Sequence, residues 1–461
     1  FLRAKGGNME KFYCLPKNTE ITGKLIKNLI ESDKRKQDRA KFKILADYYA
    51  NKPVTLRETP NKLLAITNFA RYITKINVGY LLGSPVNYLS SEDVNIENLN
   101  NSYRKQAISN LDVELATHAS IYGVAYERIY ANEESEVRSV KIDPRNIILV
   151  HDTTVEHKKM FAIVYEEIIN SHGKIERDSY QITILTPEYT QEGTLKGGTL
   201  ILESDPETGE NIKTEHNFGE VPIVEYLNGS DRMGDSEPVL PLIDAYNILQ
   251  SDRIIDRERL VDALLAFYGT DFTPEQQAML KDSRMVANIP QDAKIEYIVK
   301  SIDEADADVL RKTIAADIHK ISMTPDMSDE NFAGNSSGVA ILYKLLDFEQ
   351  HIKDKERYFE RSLLERFRIY NTFLEKGSKM AKISTEDIDV IFKRALPQND
   401  LETSQIINNL NGLVDRETLV SQLSFVRDAK ETVNLALSEK NEADNTMNSA
   451  EITDQNEKVE E

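Results

Sequence analysis

The side chains in this sequence that could do chemistry are few and loosely grouped. Asp143, His151, Asp152 and His157 fall close together and offer a mixed oxygen and nitrogen donor set. Such a set could hold a divalent ion that activates water against a phosphodiester, as in a metal-dependent nuclease. The same residues read better as a turn at the surface of a β-rich region, and that is the expectation taken forward. The stretch "AGNSSG", residues 333–338, has the small residues of a phosphate-cradling loop. No Gly-Lys-Ser/Thr follows it and no strand pattern precedes it. Asp326, Asp329 and Glu330 lack the alternating carboxylates and closing Glu of a calcium loop, and read as solvated acids. The seven histidines form no HxxxH or HExxH pair, there is no G-x-S-x-G elbow, and Cys14 sits in an irregular segment. The expectation is a chain that is not an enzyme, with no catalytic residues, no metal and no cofactor.

Composition narrows the partners. Against 57 Lys and Arg stand 77 Asp and Glu, a formal net charge of -20 over 461 residues. Affinity carried by gripping phosphates needs clustered cations, and the basic runs here are interrupted. Asp33–Arg39, "DKRKQDR", reads as a solvated helix face. Lys355, Arg357, Arg361, Arg366 and Arg368 alternate with Glu356, Glu360 and Glu365, a pattern that suits ion pairs as well as DNA. A single cysteine excludes intramolecular disulfides and Cys-based zinc sites and fits a reducing compartment. No run approaches the ~20 apolar residues of a membrane span. Residues 1–8, ahead of Met9, lack the apolar core of a signal peptide and read as an appended or processing remnant.

The elements that would position these side chains follow from periodicity. One or two charged helices cover 19–50. A helix with Leu63, Ile66, Phe69, Ile73, Ile76 and Tyr80 on one face runs over 60–82, and another amphipathic stretch over 101–121. Short β-branched and aromatic runs over 121–228, separated by turn residues, predict an antiparallel-rich β region with a hairpin tip at 204–210. A long helix follows over 234–262, opening with Asp235 or Ser236 as cap and Pro238 in the first turn. Residues 263–302 read as strand pieces ("ALLAFYG", "RMVANIP", "KIEYIVK") around a short helix, and 303–322 as a returning helix. A helix over 338–376, about 55–60 Å if unbroken, has gaps in its apolar stripe at Glu349–His351 and Asp354–Glu356 that imply a bend or a change of partner. A strand at 388–392, helices at 400–413 and 416–437, and a polar, acidic, disordered tail from 438 complete the pattern.

Three stretches carry a resemblance: "SIYGVAYE" (Ser120–Glu127), "VHDTTVEHK" with the following "AIVY", and "PIVEYLNGSDRMGDSEPVLPLIDAYNILQSD". A fourth, "ISMTPDMSDENFAGNSSGVAILYKLLDFEQHIKDKERYF", is the most specific. Together they resemble bacteriophage portal proteins, of the type found in long-tailed phages of Gram-positive hosts, over about residues 25–430. The resemblance implies an α+β portal fold that assembles as a ring, usually of twelve subunits, at one capsid vertex. The implied regions are an N-terminal extension (1–18), a wing of helices plus β region (19–236), a stem helix (237–262), a small α/β clip (263–302) and a second stem helix (303–323). They continue with a tunnel loop (324–338), a long wing helix (339–383), a helical crown (384–437) and a disordered acidic tail (438–461). The implied channel-facing residues are Asp329, Glu330, Asn331, Phe332, Gly334, Asn335, Ser336, Ser337 and Gly338. The implied clip residues for motor and adaptor docking are Thr273, Glu275, Gln276, Lys281 and Arg284. The implied partners are further copies of the chain, double-stranded DNA, the terminase large subunit, the major capsid protein, the scaffolding protein and a head-tail adaptor, with no membrane. Its place would be the virion, after assembly in host cytoplasm. A different virion assembly protein and the metal-dependent nuclease are the alternatives.

Overall fold

The computed structural model describes residues 13–53, 65–90, 95–169, 172–261, 264–268, 273–274, 294–298, 304–327, 343, 345–377, 381–394, 400–423, 426, 429 and 432–438. The chain is mixed α+β and divides into two compact units. The first comprises Phe1–Phe332 with Lys344–Arg394, and the second Ala333–Tyr343 with Ala395–Glu461.

The first unit opens with β1 (Tyr13–Leu15), α1 (Gly23–Glu31), α2 (Asp33–Tyr49) and α3 (Phe69–Leu82). Each helix starts where a short polar side chain accepts a backbone N–H: Thr22 from Leu25, Ser32 from Arg35, and Asn68 from Arg71. β2 (Asn87–Ser90), α4 (Glu97–Lys105) and α5 (Ile108–Tyr122) follow. Then come β3 (Val124–Ala131), β4 (Val137–Ile142), β5 (Ile147–Asp152), β6 (Lys159–Ile169), β7 (Ile175–Leu185), β8 (Tyr189–Lys196), β9 (Thr199–Leu202), β10 (Thr214–Glu215) and β11 (Ile223–Leu227). One sheet has the order β1-β5-β6-β7-β8-β10, with β9 also on β8, and a second has the order β11-β3-β4. The β1–β5 pair is parallel and the rest antiparallel.

β5, "IILVHD", is buried along its whole length. Alternation along a strand sends successive side chains to opposite faces. Ile147 and Leu149 enter a core with Phe42, Leu45, Tyr122 and Tyr126. Ile148 and Val150 enter another with Ile26, Ile30, Phe161 and Tyr165. A strand covered on both faces reads as a continuous apolar run, which is what this sequence offers there.

α6 (Leu240–Val261) and α7 (Glu304–Ile321) pack on each other and frame the strands β12 (Leu264–Tyr268) and β13 (Lys294–Ile298), which pair antiparallel. Val239, Ile243 and Tyr246, at the start of α6, share a core with Ile318 near the end of α7. The two helices are therefore antiparallel. The same core takes in Phe69, Ala70 and Ile73, so α3 closes the base of the pair. α8 (Leu346–Lys376) and β14 (Ile388–Ile391) complete the unit, β14 pairing with β2. The second unit contains α9 (Asp400–Leu410) and α10 (Arg416–Val420), the latter capped by Asp415.

Several elements differ from the sequence expectation, each for a physical reason. α3 starts at Phe69, not at 60: Ala65 N–H donates to Ser251 Oγ (3.1 Å) and Thr67 N–H to Asn247 Oδ1 (2.8 Å), so this stretch is tied to α6 rather than coiled. The helical stretch over 101–121 is two helices. Ala107 sits at φ 51°, and the Gln106 side chain bonds Val137 O and Ser139 N. The long helix starts at 346, so its 31 residues span about 46 Å. α9 ends at Leu410, before 413, and α10 at Val420, while residues 432–438 are helical again near the expected end at 437. Cys14 lies in a regular strand, held by pairing to β5, rather than in an irregular segment. Arg35, expected on a solvated face, is buried: its Nε donates to Tyr165 Oη (2.6 Å) and its Nη1 to Pro144 O (3.2 Å). The "RMVANIP" stretch, residues 275–283 of "TPEQQAMLKDS", and residues 439–461 lie outside the described residues.

Tyr165→Phe leaves the buried Arg35 Nε without its acceptor, which costs about 1–3 kcal/mol. Chemical denaturation of the purified variant should show the loss as a lower midpoint with an unchanged slope.

Candidate functional site

The turn that leads into α6 gathers around one carboxylate, Asp235. β11 ends at Leu227, and the chain turns through "NGSDRMGDSEP" before α6. Gly234 is forced there, since a Cβ would meet Ile121 O at 2.3 Å and Ser120 O at 2.9 Å. Glu237 Oε2 accepts the Gly234 N–H (3.1 Å), and Pro238 occupies a first-turn position where its missing N–H costs nothing. Neither expected cap works as one. Ser236 makes no side-chain cap bond, and Asp235 turns inward.

Asp235 has no solvent-exposed side-chain surface. Its Oδ1 accepts from Asn228 Nδ2 (2.7 Å) and its Oδ2 from Ser120 Oγ (2.6 Å) and the buried ammonium of Lys355, while His351 Nε2 stands 3.7 Å away. Burial alone would raise this carboxyl. Lys355 overrides burial and holds it far below the usual carboxylate range. Three of the resembling stretches thus meet at one buried atom pair.

One face further along α8, Arg366 is fully buried between two acids. Its Nε lies 2.9 Å from both carboxylate oxygens of Glu127, and its Nη1 donates to Asp112 Oδ1 (2.6 Å). Tyr226 Oη donates to Glu127 Oε2 (2.6 Å). Lys159 pairs with Glu365, Arg368 with Glu220, and Arg394 with Glu349 and Glu356. The gaps in the apolar stripe of α8, at Glu349–His351 and Asp354–Glu356, are where Arg394 and Asp235 find their partners. Lys355, Arg357, Arg366 and Arg368 all have acidic partners within the unit.

At the end of α7 the chain leaves toward 328. His319 Nδ1 lies 3.0 Å from Thr324 O, and its ring stands edge-on to Phe69 and Tyr72. Asn77 Nδ2 donates to Thr324 Oγ1 (2.9 Å). Tyr72 Oη donates to Pro325 O (3.0 Å) and accepts from Met327 N–H (2.9 Å).

The expected site residues fare unevenly. Asp329, Glu330, Asn331, Phe332, Gly334, Asn335, Ser336, Ser337 and Gly338 lie outside the described residues, as do Glu275, Gln276, Lys281 and Arg284; Thr273 is described and exposed. The nuclease donor set is used locally. Asp143 takes Arg145 in a two-pronged pair (2.9 and 2.6 Å). Asp152 Oδ1 takes Thr154 N–H, Thr154 Oγ and Lys158 N–H, organising the β5–β6 turn, while burial pushes His151 down to about 4. Among the described residues no group of three or more His, Cys, Asp or Glu could hold a metal ion, and no helix is long and apolar enough to cross a membrane. Sequence reasoning missed Asp235, Lys355, Tyr72 and Asn77. The signal for Lys355 was present: a lysine in line with Ile352 and Phe359 on an apolar stripe.

The site is a set of buried ion pairs that fix long elements against a β-rich body. The sequence matches the family described as "Phage portal protein, SPP1 Gp6-like" over residues 29–446, and the chain belongs to that family. It is similar to the portal protein of Bacillus phage SPP1, with 24% identity over 370 residues that cover 76% of this chain and 71% of the relative. It is also similar to the portal protein of Clostridium phage phiCD119, with 22% identity over 352 residues, 71% of this chain and 73% of the relative.

Asp235→Asn leaves Lys355 buried without its counter-charge, at a cost of about 3–5 kcal/mol. Because the folded carboxyl titrates below its unfolded value, its contribution is complete above about pH 4 and fades as pH falls further. The stability gap to wild type, read from urea midpoints, should be widest near neutrality and close in acid. Glu225 shows the same sign: burial raises it, Arg232 prevails, and it is lowered from 4.5 to about 2. The Glu225→Gln gap should close between those two pH values.

Proposed function

We propose that this chain is the portal subunit of a phage capsid, repeated around an axis as a ring, usually of twelve, through which double-stranded DNA is packaged and later ejected. The observation that carries the reading is the antiparallel α6/α7 pair, closed at its base by α3 and bearing the β12–β13 pair between its far ends. It suits a stem, with residues 263–302 as the clip that meets the terminase large subunit during packaging and a head-tail adaptor afterwards. Thr273, Glu275, Gln276, Lys281 and Arg284 are the proposed docking residues. Residues 19–236 and 339–383 form the wing, 384–437 the crown, and 324–338 the tunnel loop that faces moving DNA. The major capsid protein and scaffolding protein would surround the wing at the vertex, in host cytoplasm during assembly and in the virion afterwards.

Two features support assembly and passage. Ile248, Val309 and Leu310 on the helix pair stay 46%, 63% and 50% exposed, which leaves apolar surface for neighbouring copies to cover. The net charge of -20 favours a conduit along which a polyanion slides without sticking. The motor would be a separate protein, since the sequence has no Walker motif.

Twelve copies of 52.5 kDa give roughly 630 kDa. Negative-stain images of the protein, purified alone and after co-expression with the capsid and scaffolding proteins, should show a ring with an axial channel and no ATP hydrolysis. Monomers under both conditions would overturn the reading. Val309→Asp with Leu310→Asp should abolish rings while leaving the circular dichroism of the subunit unchanged.

A further inference from the structure

We infer that α3 is a clamp that fixes both ends of the segment between Met327 and Phe348, with Tyr72 and Tyr80 as its positioning residues. The outgoing end is held by a single hydroxyl. Tyr72 Oη donates to Pro325 O and accepts from Met327 N–H, so two residues of the departing chain share one anchor. Behind it, Asn77 holds Thr324 through Oγ1 and is itself braced on Ile73 O (2.9 Å). His319 fills the angle, its ring edge-on to Phe69 at 5.8 Å and to Tyr72 at 5.7 Å.

The returning end meets the same helix. Tyr80 packs on Phe348, one turn into α8, with ring centroids 4.8 Å apart. The Arg394 guanidinium lies over the Tyr80 ring, 5.6 Å from its centroid, and pairs with Glu349 and Glu356. Tyr72 and Tyr80 are eight residues apart on one helix, about 12 Å along its axis. That separation is stiff, because α3 buries Ile73, Val78, Leu81 and Leu82, and the chain just before it is bonded to Asn247 and Ser251 of α6. Whatever the intervening residues do, their two ends stay at a spacing set by α3. A displacement of α3 moves both ends together, which links the wing to the segment.

That this spacing matters for DNA passage rests on the function proposed above; the clamp itself does not. The test uses the full-length assembled protein and Tyr72→Phe, which keeps the ring and removes both hydrogen bonds, alongside Tyr80→Leu, which removes the aromatic contact. Hydrogen–deuterium exchange should rise about tenfold at Met327 in Tyr72→Phe, one hydrogen bond's worth. It should rise over 345–349 in Tyr80→Leu. Ring assembly should be unchanged in both, and the amount of DNA packaged into capsids bearing them should fall several-fold. Unchanged exchange at Met327 in Tyr72→Phe overturns the clamp. Raised exchange with full packaging overturns the positioning role. Capsids that package normally without any copy of the chain would instead sink the function itself.

Discussion

The Asp235–Lys355 pair is the constraint on which the arrangement depends. Two opposite charges withdrawn from water are each costly, and their attraction offsets that cost only where geometry is good and the remaining lone pairs are filled. Here Asn228 and Ser120 complete the carboxylate's shell. The pair therefore demands that the end of α5, the turn before α6 and the first turns of α8 meet at one point. Backbone bonds reinforce it, with Asp235 N–H on Ser120 O and Asn228 N–H on Gly123 O. Gly123 is held at φ 81°, where an added Cβ would strike Arg232 O. A buried pair of this kind specifies position more than it adds stability, since an apolar substitute would pack equally well but could not fix the register of α8 against α6.

Further along α8 the same device recurs with Arg366, Glu127 and Asp112, then with Arg368 and Glu220 at the surface. The helix is fastened at intervals along its length to the strands β3 and β11 and to α5. Lys355 and Arg366 are turned inward to do so, while Arg357 and Arg368 stay exposed beside acidic partners. The base of the α6/α7 pair, by contrast, is closed by apolar contact: Phe69, Ile73, Val239, Ile243, Tyr246 and Ile318. Ionic ties set register where long elements cross, and the hydrophobic core sets where the helix pair is rooted.

Much of the secondary structure was legible because it is periodic. β5 and its neighbours, α6, α7 and the body of α8 lie close to where their patterns put them. What was illegible depended on tertiary partners. The start of α3 was hidden because Ala65 and Thr67 find acceptors on α6 rather than in a helix. The break at Ala107 was hidden because it rests on Gln106 reaching β4. Arg35 looked solvated because nothing local announces that Tyr165, far along the chain, supplies its acceptor. Asp235 looked like a helix cap, since a cap and a buried ion pair have the same local sequence. The charged positions on α8 were visible as gaps in a stripe, and only the fold shows that the gaps are filled.

The most direct measurement is a reconstruction of the assembled ring at side-chain resolution, read for the distance of residues 324–338 from the symmetry axis. The account predicts that this segment, tied to α3 through Thr324 and Met327, lines the narrowest part of the axial opening. Finding it packed against the outer rim, away from any central passage, would contradict the account outright.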